Sequence, residues 1–169
     1  MSIILFGNKN NSGSVLLEAL ISIIIIGLIS VVLLDIGVLS LKTFDSIEKI
    51  TEADFLLKEA LESIRSFRDG TDWSSNGLGV VNTGTDNPYY LFLDTVANPN
   101  KWTLLSGTET MGIFTRNIIF DKISRDPDTK NIEDVYNSSN DDPDTRKITA
   151  IVKWEGKTSQ VITYLTNWK

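Results

Sequence analysis

Between Ser14 and Leu41 almost every position is apolar, on all sides of a helix and not along one stripe. Ala19 to Leu34 carries no charge, and the apolar run continues past Asp35 to Leu41. A helix needs ~20 apolar residues to cross a bilayer, so a membrane-spanning segment is predicted, with Glu18 or Asp35 near a boundary. The pattern then changes. Phe44, Ile47, Ile50, Leu57, Leu61 and Ile64 recur at helical spacings, flanked by Ala53, Ala60 and Phe67. Asp45, Glu48, Glu52, Lys58, Glu59, Glu62 and Arg65 fill the other side. Such a period marks one face of an amphipathic helix. Arg68 suits the negative end of the helix dipole, and Gly70 is the expected C-cap. A continuous helix from Ser14 to Asp69 would be ~84 Å long at about 1.5 Å per residue.

Thr71 to Pro88 is punctuated by glycine, asparagine and serine and is predicted to be a loop. Strands are expected at Tyr89–Leu93, Lys101–Leu105, Gly112–Ile123, Lys147–Glu155 and Lys157–Thr166. The last two alternate clearly. Ile148, Ala150, Val152 and Trp154 share one face, and Glu155-Gly156-Lys157 joins the pair as a hairpin. These elements imply an α+β fold, in which an antiparallel sheet of three to five strands packs on the distal helix stripe. Asp126 to Asp144 holds seven acidic residues, one lysine and two prolines, which exclude regular structure over most of it.

Composition removes several classes of chemistry. The chain has 169 residues, net charge -6 and no histidine or cysteine. The acidic balance argues against nucleic-acid binding, which needs a basic surface. A Ser-His-Asp triad, a thiol nucleophile and a disulfide are excluded. A hydrolase would need paired carboxylates or a serine–lysine dyad, and the dense carboxylates lie in the acidic loop. No enzyme activity and no cofactor are expected.

The polar segment Asn8 to Gly13 precedes the apolar core, whereas a secretory signal is cut after its core. Gly13 is followed five residues later by Glu18, the one carboxylate near the start of the apolar run. On these residues the N-terminal quarter resembles the type IV pilin family, which includes the pseudopilins of type II secretion. That family has a short leader ending in glycine, then an apolar segment with glutamate at its fifth residue. The resemblance implies a leader peptide over residues 1–13, cleavage between Gly13 and Ser14, and a transmembrane and assembly helix over residues 14–41. The head domain would span residues 42–169 and include a distal helix over 42–69. Gly27 falls where many members have a glycine in the helix. Ser14 stands where phenylalanine is usual, and Asp35 where a kinking proline is often found.

The resemblance further implies a minor pilin or pseudopilin held in the cytoplasmic membrane by a single pass, its head on the extracytoplasmic side. Its partners would be other pilin subunits in a filament, a prepilin peptidase, an inner-membrane assembly platform and the lipid membrane. Glu18 would neutralise the N-terminal amine of an adjacent subunit, and Ser14 is the residue open to methylation. Whether the filament serves a pilus, secretion or DNA uptake stays open. The alternative is a membrane-anchored extracytoplasmic binding or sensor protein with a plain signal anchor.

Three further features have competing readings. Asp126, Asp128, Asp141, Asp142 and Asp144 form a weak calcium candidate, because hard cations take carboxylate oxygens. Their spacing fails the EF-hand pattern: Lys130 stands at a ligand position and Asn131 where glycine is required. A solvated acidic loop is the simpler expectation. Trp73 is expected to close the helix–sheet junction, and Trp154 and Trp168 to pack in the core or at an edge. Asp35 either marks the outer membrane boundary or pairs with Lys42 two turns on.

Overall fold

The computed structural model describes residues 12–97 and 99–168. The first element is one α-helix, α1, Ser12–Gly70. The chain divides into two compact units after Glu48, so the helix is taken in two parts. No proline interrupts it.

In the first unit, every large apolar residue from Val15 to Leu41 is exposed, from 47% at Ile21 to 72% at Leu16. This helix is long and apolar enough to cross a membrane, and its apolar window is not buried within the chain. Three of its hydroxyls are satisfied inside the helix. Ser22, Ser30 and Thr43 each donate to the carbonyl four residues back, at 2.8, 2.8 and 2.9 Å. That arrangement lets polar side chains lie in hydrocarbon without an unpaired donor.

In the second unit, the helix face made by Ala53, Leu57, Ala60, Ile64 and Phe67 is buried. The spacing of four and three brings these residues onto one line. They meet Leu91, Phe114, Ile118, Phe120, Ile148, Val152, Trp154 and Leu165 in a single apolar cluster. Each large side chain so buried contributes about 1.5–3 kcal/mol. The predicted stripe is therefore corrected at its near end. Phe44, Ile47 and Ile50 are exposed and lie outside the buried cluster, which starts at Ala53. Periodicity marks an apolar face but not how far a partner surface extends along it. The helix end also differs from expectation. Gly70 is the last helical residue and does not adopt positive φ. The Thr71 hydroxyl closes the turn by donating to the Phe67 carbonyl at 2.7 Å.

The sheet has six antiparallel strands: β1, Tyr89–Asp94; β2, Lys101–Ser106; β3, Glu109–Met111; β4, Phe114–Ser124; β5, Asp141–Trp154; β6, Lys157–Thr166. Their spatial order is β2-β1-β4-β5-β6, with β3 paired to β4. The architecture is the expected α+β layer pair, with one strand more than the three to five foreseen. The added strand, β3, is three residues long and folds back on β4 through Gly112, whose φ is 58°. The predicted hairpin joins β5 to β6, with Trp154 opposite Lys157. Glu155 and Gly156 both take positive φ there, 44° and 75°, as a right-twisted two-residue hairpin requires. The four alternating residues of β5, Ile148, Ala150, Val152 and Trp154, are all buried.

β5 starts at Asp141, six residues before the predicted Lys147. The register explains how a strand accommodates Pro143. Lys122 pairs with Arg146 and Ile123 with Asp142, so residues 143–145 have no partner on β4. A proline costs no ladder bond at such an irregularity.

Candidate functional site

Gly13, Ser14 and Glu18 all lie in the first turns of α1 and are exposed. The leader expected over residues 1–13 lies outside the described residues up to Asn11. Glu18 is the one ionisable residue between Lys9 and Asp35. Its backbone carbonyl accepts from Ser22, but no described side chain bonds or pairs with its carboxylate. Asp35 is exposed, and no ion pair joins it to Lys42 among the described residues. Gly27 and Gly37 are open on the chain's own account: an added Cβ at either would meet nothing within 4 Å. Glycine in a helix interior costs about 1 kcal/mol relative to alanine. Among the described residues nothing offsets that cost at these two positions.

The acidic loop is solvent-exposed over most of its length, as expected, and is also braced by internal hydrogen bonds. Asp126 caps its own turn, accepting from the N–H groups of Asp128 and Thr129 at 3.0 and 2.7 Å and from the Thr129 hydroxyl at 3.0 Å. The Thr129 N–H contributes most to holding its carboxyl below the ordinary aspartate value, followed by the Thr129 hydroxyl. Arg125 bonds Asp142 at 2.6 Å and the Lys130 carbonyl at 3.1 Å. Burial pushes the Asp142 carboxyl up. Hydrogen bonds from Arg125, Thr145 and the Asp144 N–H outweigh burial and hold it below the ordinary value. Asp144 accepts from Asn167 at 3.1 Å, and Asp141 from the Tyr136 hydroxyl at 3.0 Å. Four of the five carboxylates of the calcium candidate, those of Asp126, Asp141, Asp142 and Asp144, are thus engaged by separate partners, whereas Asp128 contributes only its backbone N–H. Among the described residues no group of three or more His, Cys, Asp or Glu is arranged to hold a metal ion.

The tryptophans divide as their neighbours dictate. Trp73 and Trp154 are in the core, Trp102 is half-buried against it, and Trp168 is 64% exposed. The Trp73 indole donates to the Pro143 carbonyl at 3.0 Å, tying the loop after α1 to β5. A glycine is needed at position 79, because a Cβ there would stand 2.5 Å from the Trp73 carbonyl.

Two buried arginines were not foreseen. Arg116 is 4% exposed, and its guanidinium donates to the Leu56 carbonyl at 3.0 Å, Glu59 at 2.8 Å and Glu109 at 2.6 Å. It links α1, β3 and β4. Arg146 is bonded to the carbonyls of Pro143, Thr145 and Gly79 and lies 5.9 Å over the Trp73 ring. Both sit on the buried side of their strands, in step with Ile118 and Ile148. That alternation was the available signal. The Ser-x-x-Lys spacing of a serine–lysine dyad occurs once, at Ser46 and Lys49. The Lys49 ammonium is engaged by Glu155 at 2.9 and 3.1 Å, which makes it a donor to a carboxylate and not a free base.

The chain matches no protein-family model, and comparisons with curated proteins and with solved structures returned no match.

Proposed function

We propose that this chain is a minor pilin or pseudopilin, a structural subunit of a type IV pilus or type II secretion-like filament. A prepilin peptidase would remove the leader, leaving the subunit in the cytoplasmic membrane by a single pass with its head on the extracytoplasmic side. An assembly platform would then transfer the apolar helix from lipid into the filament.

The observation that carries this reading is Glu18, a carboxylate without a described partner at the head of a helical stretch, Val15 to Leu41, whose large apolar side chains are all exposed. Burying an unpaired carboxylate costs several kcal/mol. The free amine that cleavage creates at Ser14 of a neighbouring subunit supplies the missing cation. A subunit out of register would leave both charges uncompensated. Gly27 and Gly37 support the same reading, since small residues let apolar helices approach closely. A sensor on a plain anchor needs neither the cleavage nor the carboxylate.

Mass spectrometry of the membrane form tests the processing step. Ser14 is expected at the N-terminus, and Gly13→Trp is expected to block removal of the leader while membrane insertion continues. An intact leader in a host with active prepilin peptidase would sink the proposal. Glu18→Ala should leave the head folded and the protein in the membrane but deplete it from filaments.

A further inference from the structure

We propose that a cleft on the outer face of the head binds a neutral, hydroxyl-rich ring of the pyranose class. The cleft is separate from α1 and the inference does not depend on filament assembly. Its volume is about 530 Å³, and its walls are Asp121 and Lys122 of β4, Lys147 of β5, Tyr164 of β6, and Glu133 and Tyr136 of the acidic loop. Small-molecule sites occupy roughly 300–1,000 Å³.

Two of these walls are anchored at one end and unspent at the other. The Tyr136 hydroxyl is fixed on Asp141 at 3.0 Å, while the residue stays 44% exposed. Glu133 accepts from Asn140 through Oε1 at 3.0 Å, and its N–H donates to the Ser124 carbonyl at 3.0 Å. Its Oε2 is buried and has no hydrogen-bond partner among the described residues. A buried acceptor left unsatisfied is disfavoured, and a turn of the Glu133 side chain into the cleft would bring it to a ligand donor. The sheet adds a row of adjacent side chains. Asp121 is opposite Lys147, and Lys147 is opposite Tyr164, which is also 44% exposed. The row offers an acceptor, a donor and a second ring.

The mixture of groups selects the ligand. Asp121, Glu133 and Asp134 stand against Lys122 and Lys147, so an anion meets carboxylates and a cation meets ammonium groups. An apolar ligand would leave all five desolvated and unpaired. Hydroxyls both donate and accept, and the C–H face of a sugar ring covers a tyrosine face. A pyranose carries both.

Saturation-transfer NMR on the full chain in phosphatidylcholine nanodiscs tests the proposal, with cellobiose, lactose and N,N′-diacetylchitobiose as probes and sorbitol as the acyclic control. Ring protons of at least one disaccharide should receive saturation at millimolar concentration, and sorbitol should not. The signal should fall to the sorbitol level in Tyr164→Ala, Glu133→Gln and Thr83→Trp, the last placing an indole at a lining position, and should persist in Thr158→Ala. Should either of the first two lose the native circular dichroism, Thr83→Trp decides. No transfer from any disaccharide, equal transfer from sorbitol, or transfer unchanged in a folded Thr83→Trp protein would overturn it.

Discussion

Arg116 shows how one buried charge joins three elements. Removing it leaves the less exposed Glu109 carboxylate without its cation, whereas Glu59 is half-exposed and is solvated without it, and the Leu56 carbonyl keeps its helical bond. Arg116→Met should therefore cost about 2–4 kcal/mol, and Glu59→Gln less than about 1 kcal/mol. Thermal unfolding of the full chain in detergent measures both, and equal losses would contradict this division. Asp142 makes a pH-dependent counterpart. Its folded-state pKa lies below the unfolded one, so its contribution is complete above the unfolded value and is lost as pH falls through the folded value. Its carboxyl should titrate at lower pH than that of a short aspartyl peptide in carbon NMR. Arg125→Gln should shift the midpoint upward, and an unmoved midpoint would remove Arg125 as a principal cause.

At the scale of elements, the helix divides its faces sharply. Leu57→Ala opens a cavity in the cluster and should cost about 2–4 kcal/mol. Phe55→Ala, two residues earlier but 66% exposed, should cost less than about 0.5 kcal/mol. Chemical unfolding of the two variants compares them directly. The sequence made legible α1, β1, β2, β4, β6 and the second half of β5, each expected within two residues of its observed bounds. Three features escaped. β3 is too short to show a period. The start of β5 is masked by Pro143 and its acidic neighbours, because the irregularity that admits a proline depends on the partner strand. The loop's bracing depends on Arg125, Ser124 and Asn140 finding carboxylates and backbone across a fold that local composition does not describe. Of the proposed site, Gly13, Ser14 and Glu18 are marked by their spacing at the head of the apolar run. The buried arginines needed the strand faces as well.

For the whole molecule, the distal helix belongs to the head's core. Five residues of that core come from α1, so a fragment beginning at Lys42 should be soluble and monomeric. A fragment beginning at Gly70 should aggregate, since it exposes an apolar sheet face of several hundred Å². Analytical ultracentrifugation distinguishes the two outcomes. A soluble, folded Gly70 fragment would favour an independent head on a plain anchor.

The chain order of that core also sets a clock. The helix face ending at Phe67 leaves the ribosome first, and its last covering strand, β6, ends at Thr166 about a hundred residues later. At synthesis rates of about 5–20 residues per second, the face waits roughly 5–20 s for its partner. During that interval the nascent chain is most open to premature association.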